Sequence, residues 1–360
     1  MRVLFKNFYL KILLSFVLIS YSCSDDSYIA VEVSPVNYNL DEMPYNSLSQ
    51  YNFFVGEMKN LNPVYGVIPY ELISSLFTDY SIKSRFLWMP EGVSANYISS
   101  SDVFDFPIGT VLIKNFSYEN VIPDQVPKNI ETRLMIKKEN GWIFADYVWN
   151  EDQTEAFFSL DGSVVDISWL QDGLERNINY RIPSASECLT CHKISDGAIP
   201  NGVKPRNINK MLNYGSNTMN QLDKWIEMEY LTSYPETFET VANWKDLSEP
   251  LEKRVRSYID INCAHCHSDN THCEYRPIRL NFEATEDLAN MGVCLTPDTD
   301  LGNGTDFIIN PGNVNRSVLH FRISSNEEEY RMPLIGRSIV HEEAIEMIEQ
   351  WINSLEDNCN

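Results

Sequence analysis

The sequence predicts an α+β protein, with a β-rich, sandwich-like N-terminal domain followed by a mainly α-helical region. Three observations predict it. Asn140-Gly141 separates two β-rich runs, residues 131–138 and 142–149, and Asn-Gly in that setting is the strongest short-range hairpin signal. Further β-rich runs occur at 84–89 and 109–114, and strand signals dominate from Pro44 to about Trp169. Near Ile182-Pro183 the pattern changes. Apolar residues then recur at helical spacing over 220–230, 247–261 and 342–355, the last with Ile345, Ile348, Ile352 and Leu355 on one face.

A second hairpin is expected where Asp161-Gly162 separates residues 157–160 from 164–167. The chain divides as an export signal over 1–23, a polar tether over 24–45 and a β-rich domain over 46–180. A first helical segment over 181–245 and a second over 246–360 follow. The 360 residues are 43% hydrophobic, enough for a packed core. The net charge of -23, from 51 acidic and 28 basic residues, repels phosphate backbones and argues against nucleic-acid binding.

The N-terminus reads as an export signal. Arg2, Lys6 and Lys11 form a positive region, and Ile12 to Ile19 form an apolar run too short to be a permanent span. The run ends at Ser22-Cys23-Ser24-Asp25-Asp26, which resembles a bacterial lipobox, with Ser20 where leucine is usual. Acidic residues after the cysteine resemble the lipoprotein signals of Bacteroidetes that accompany surface export. Cys23 is therefore the expected lipidation site, and the mature chain is expected to hang from a membrane by its lipid.

Two pentads carry the chemistry: Cys188-Leu189-Thr190-Cys191-His192 and Cys263-Ala264-His265-Cys266-His267. Both are C-x-x-C-H, the signature of covalent haem attachment. On a helical turn, residues i and i+3 share a face. Their thiols can then add to the two vinyl groups along one porphyrin edge, and the following histidine ligates iron. A Cys₄ zinc ribbon would not space its pairs so widely or require both histidines. A thioredoxin-like pair would want one motif in a βαβ setting. Two c-type haems are the expected cofactors, bound through Cys188, Cys191, Cys263 and Cys266, with His192 and His267 as proximal iron ligands.

At the second motif a helix leads into Cys263, and Met332-Pro333 precedes a closing helix. That order is the order of a class I cytochrome c. Met332 is the expected distal ligand, a soft thioether favouring Fe(II). His320, in a strand-like apolar run, is its rival. At the first motif, distal candidates are Met211, Met219 and Met228, with Lys204 and Tyr214 behind them, and no spacing argument chooses among them. An open sixth position is a further alternative there.

Of the remaining cysteines, Cys273–Cys294 and Cys294–Cys359 are the alternative disulfides. Asp298-x-Asp300 departs from EF-hand order and reads as a solvated turn. His341-Glu342-Glu343 lacks the second histidine of a zinc protease and reads as a helix start.

The chain resembles a bacterial family of dihaem c-type cytochromes, a conserved hypothetical family typified by a Shewanella cytochrome. The resemblance runs through Phe53-Phe54-Val55-Gly56, Gly66-Val67-Ile68-Pro69-Tyr70, Phe106 to Phe116 and Glu131-Thr132-Arg133-Leu134. It continues through Tyr147 to Ala156, Pro205-Arg206-Asn207-Ile208-Asn209, Asn220 to Trp225, Tyr258 to His267, Arg331 to Gly336 and His341-Glu342-Glu343. The C-terminal part is also similar to haem tails fused to some secreted sugar-dehydrogenase-like proteins. The resemblance implies two haems and electron transfer, and two haems on one exported chain are expected to relay electrons between redox protein partners at the cell envelope. A dihaem enzyme such as a peroxidase, or a haem-based redox or gas sensor, is the competing reading.

Overall fold

Residues 33–356, 358 and 359 are described by a computed structural model. The export signal and Cys23 lie outside the described residues. Eight antiparallel strands form one sheet: β1 Ile68–Pro69, β2 Ile82–Trp88, β3 Val111–Val121, β4 Val126–Lys138, β5 Gly141–Trp149, β6 Ala156–Ser159, β7 Ser163–Gln171 and β8 Leu174–Ile182. The expected hairpin is β4–β5, with Lys138 opposite Gly141, so Glu139-Asn140 makes the turn. Gly141 takes φ +111°, a left-handed value that a side chain would resist.

The second expected hairpin does not form. β6 pairs with β5, and β7 pairs with β8 around Asp172-Gly173. Both Asp161-Gly162 and Asp172-Gly173 are turn-competent, and only the second closes a hairpin, with a ladder from Ser163↔Ile182 to Gln171↔Leu174. The β7–β8 arm joins the rest at Val121↔Trp169.

All eight strands belong to one paired sheet, and its β7–β8 arm folds back so that Ile167, Trp169, Ile178 and Tyr180 pack on Phe116, Tyr118 and Ile130 of β3 and β4. Period-two alternation gives the sheet two apolar faces. One face carries Phe86, Ile113, Leu134 and Ala145 in cross-strand register, and it buries Met43, Tyr45, Leu48, Tyr51 and Phe53. Residues expected in a polar tether are thus partly core: Met43 is 3% exposed, and Tyr38 packs against the same cluster. The other face carries Leu87, Leu112, Met135 and Phe144. It packs on Val203, Ile208, Leu222, Trp225 and Ile261, so the division expected at 180/181 runs through a shared core. Ser34–Asn360 is one compact unit.

Seven helices are described: α1 Ala185–His192, α2 Pro205–Ile208, α3 Gln221–Glu227, α4 Leu251–Cys263, α5 Leu288–Met291, α6 Val318–Ser324 and α7 Glu342–Ser354. The periodic segments near 220, 250 and 342 all become helices, as their spacing predicts. α4 and α7 bury Val255, Ile259, Ile348, Trp351 and Ile352 against each other and against the loops between them. Among the described residues, no helix is long and apolar enough to cross a membrane.

Cys294 and Cys359 form the disulfide, and Cys273 stays a buried free thiol. The 298–305 segment is a turn held by Asp300 and Asn303, which accept from the backbone N–H groups of Gly302 and Thr305. His341 precedes α7 as its N-cap residue, stacked on Phe77 with ring centroids 4.0 Å apart.

Candidate functional site

The first motif lies on α1. Ser184 caps this helix: its backbone N–H donates to the Glu187 carboxylate at 2.9 Å, a reciprocal capping box. Helical spacing sets Cys188 and Cys191 on one face. His192 Nδ1 lies 2.9 Å from the Ile199 carbonyl oxygen. A carbonyl only accepts, so Nδ1 carries the proton and Nε2 keeps a free lone pair, as a metal-ligating histidine requires. Burial pushes the His192 pKa down to about 4, which keeps the ring neutral.

These three side chains line a cavity enclosing about 1210 Å³, including its mouth. Its opposite wall is the sheet: Leu112, Lys114, Met135, Phe144 and Asp146 face it. Among the described residues, Met211, Met219, Met228, Lys204 and Tyr214 do not line it. Met211 is 57% exposed on a short ribbon, Met228 and Tyr214 pack against the core beside Trp225, and Lys204 lies 3.8 Å from Asp260. The wall opposite the motif is built by strands about 50 to 100 positions earlier in the chain.

The second motif begins where α4 ends. The N–H groups of Cys266 and His267 donate to the Cys263 carbonyl at 3.1 and 3.0 Å, so the chain winds one more turn past the helix. Cys263, Cys266 and His267 line a second cavity, enclosing about 1140 Å³ including its open mouth and faced by Leu319, Arg322 and Met332. His267 is neutral, its pKa pushed down to about 4 by burial, and its Nδ1 is buried with no partner.

Met332 is held in place by its loop. Its N–H donates to the Arg322 carbonyl at 3.0 Å, and Arg337 Nε donates to the Met332 carbonyl at 3.0 Å. The Arg337 guanidinium also binds the Ile323 and Ser325 carbonyls at the end of α6, which ties loop to helix. Motif reading missed Arg337. His320 lies on a helix, not in the strand-like run expected. Its Nε2 is 2.7 Å from Glu349, and it does not line the cavity. The i, i+3 pair Leu319 and Arg322 points inward from the same helix.

The two cavities adjoin. Cys191, His265, Pro333 and Ile335 line both. Ligand atoms of Cys191, His265 and Cys266 all lie within 4.8 Å of one another. Cys266 Sγ is 3.2 Å from the Thr190 carbonyl oxygen. A hydrogen bond from the Cys266 thiol lowers the Cys191 pKa and raises that of Cys266. Burial pushes the outer pair, Cys188 and Cys263, up to about 12.

Sequence reading also missed the charged residues of the first cavity. A partial signal was present: Lys114 and Asp146 interrupt mainly apolar faces of β3 and β5, whereas Arg85 and Arg133 sit among other polar residues of β2 and β4 and do not stand out. No protein-family model, curated protein or solved structure matches the chain.

Proposed function

We propose that the chain is a dihaem c-type cytochrome that moves electrons at the cell envelope. The observation that carries this reading is the convergence of both C-x-x-C-H pentads on adjoining cavities with a common wall. The residues suit the group. Each cavity offers two cysteines at i, i+3 and a neutral imidazole, and the His192 tautomer leaves Nε2 available. The walls around them are largely apolar, as a porphyrin ring requires. Covalent c-type haem supplies reversible one-electron chemistry at iron.

The chain's own residues would then divide the work. Cys188 and Cys191 anchor the first haem, and Cys263 and Cys266 the second, by thioether bonds. His192 and His267 are the proximal ligands, and Met332 is the distal ligand of the second haem. The sheet is the far wall of the first cavity. Its partners are redox proteins, and Cys23 anchors the chain to a membrane. The resemblance to the dihaem cytochrome family agrees with this assignment.

A second reading has one observation in its favour: Cys191, His265 and Cys266 could together hold a soft metal ion such as zinc. It leaves Cys188, His192, Cys263 and His267 without a role. One experiment separates the two. The full chain is produced in a host with c-haem maturation, then extracted with acid–acetone and weighed by mass spectrometry. The cytochrome reading expects two retained haems. A haem-free mass with stoichiometric zinc in the native protein would replace it.

A further inference from the structure

Strand register places four charged residues side by side on the sheet face that lines the first cavity. Arg85 pairs with Lys114, Lys114 with Arg133, and Arg133 with Asp146, across β2, β3, β4 and β5. All four line the cavity that holds Cys188, Cys191 and His192. Like charges directly opposite one another repel, so three adjacent cations need a counter-charge.

The chain supplies only part of it. Glu131 engages Arg133, with Nε to Oε2 at 2.8 Å and Nη2 to Oε1 at 2.6 Å, and it also accepts from the Tyr180 hydroxyl at 2.6 Å. Arg85 and Lys114 make no ion pair among the described residues. Arg85 is 6% exposed. Its Nη1 donates to the Lys83 carbonyl at 3.3 Å, and its Nη2 is buried without a partner. Lys114 Nζ sits 4.9 Å over the Phe116 ring, and Lys83 stands one register step away. Burial of an unpaired guanidinium is costly unless an anion meets it.

The next row on the same face is apolar: Leu112, Met135 and Phe144, all lining the same cavity. The wall therefore presents an apolar strip bordered by three cations, with Asp146 beside Arg133 at the far end, so that Arg85 and Lys114 are the cations left for an outside anion. A haem has that polarity, with an apolar ring and two propionate carboxylates on one edge. We propose that Arg85 and Lys114, flanked by Arg133, receive the propionate carboxylates of the first haem. The proposal rests on the dihaem reading above and goes beyond it, because the sheet becomes part of the cofactor site and sets its electrostatics. A guanidinium fork and an ammonium are the groups that bind carboxylate oxygens most strongly.

The test uses the full chain with haem attached, grown on carboxyl-¹³C aminolaevulinate so that the propionates are labelled. Wild type is compared with Arg85→Gln, Lys114→Gln and Arg85→Lys by redox titration and by reduced-minus-oxidised infrared difference spectra. Loss of a nearby positive charge favours the ferric state. Each glutamine variant should therefore shift the first haem's oxidation equilibrium about tenfold toward Fe(III), about 59 mV for one electron. The isotope-sensitive carboxylate bands should shift as well, and the second haem should keep its potential.

Arg85→Lys keeps the charge and loses the fork, so it should move the labelled bands with little change in potential. If the glutamine variants do not fold, this variant decides alone, and unmoved bands overturn the proposal. A wild-type potential that responds saturably to added acetate, with labelled bands indifferent to all three substitutions, overturns it in favour of a diffusible anion. Absence of covalent haem from wild type is a different result, because it removes the dihaem reading itself.

Discussion

The thiol sulfurs of Cys191 and Cys266 lie within 4.8 Å of each other, although they belong to different pentads, one on α1 and the other in the turn that follows α4. Each is the second cysteine of its motif, so the two motifs approach through these residues. Two haems bound here would have neighbouring edges, the arrangement an electron relay needs. The sheet, α1 and the end of α4 meet at this point, and the cavities open on either side of it.

Met332 should govern the second haem and leave the first unchanged. Met332→Ala should abolish the weak far-red charge-transfer band of His/Met ligation. It should lower that haem's potential by on the order of 100 mV, because a soft ligand favouring Fe(II) is lost. Met332→His should keep six-coordination and still lower the potential, which separates ligand softness from opening of the site. Redox-titrated visible spectra check this, and an unchanged spectrum in Met332→Ala would reduce Met332 to packing.

Cys23 lies outside the described residues, and its role as lipid anchor is tested by fractionation. Cys23→Ala should move the protein from the membrane pellet to the soluble fraction, or stall it as unprocessed precursor. Mature protein still in the pellet would show that something else holds it there.

The Cys294–Cys359 bridge closes a loop with a sequence separation of 65. Chain-entropy arithmetic for such a loop gives up to about 4 kcal/mol, from restriction of the unfolded chain. Cys294→Ser with Cys359→Ser should lower unfolding stability by about 2–4 kcal/mol, measured by urea titration. Haem content should stay the same, since neither residue lines the second cavity. A loss under about 0.5 kcal/mol would mean that the unfolded chain is not appreciably restricted by the bridge.

Acid should weaken the fold through His341. Burial among Phe77, Tyr80, Trp244 and Tyr258 pushes its pKa down to about 4, and the Tyr258 hydroxyl lies 3.0 Å from Nδ1. The unfolded chain binds this proton near pH 6.5, so it is favoured as pH falls. The stability of the neutral form is complete above about pH 6.5 and declines toward pH 4, by at most about 3 kcal/mol. His341→Gln should flatten that limb in urea titrations at pH 7, 5.5 and 4.5. Contributions from His192 and His267 are common to both proteins and cancel in the comparison. Equal slopes would assign the acid limb to other groups.

Local features are legible in the amino-acid sequence. The i, i+3 cysteines with their histidine, the Asn140-Gly141 turn and the helical periodicity of 342–355 each depend on neighbours within a few positions. Residue type and spacing therefore suffice to reveal them. Met332 is legible through chain order, and its loop does reach the second cavity. Tertiary structure alone decided the rest. β6 joined β5, and β7 paired with β8 along nine residues while also meeting β3 at Val121↔Trp169, so strand partners were set by the whole sheet and not by the nearest turn signal. Cys359 was selected over Cys273 because a disulfide needs Cα atoms near each other, and those of Cys294 and Cys359 are 5.2 Å apart. The wall of the first cavity is the clearest case. Arg85, Lys114, Arg133 and Asp146 come from four strands, and only sheet register brings them into one row opposite His192. Register is a cooperative, long-range property of the folded chain, so no local window contains it.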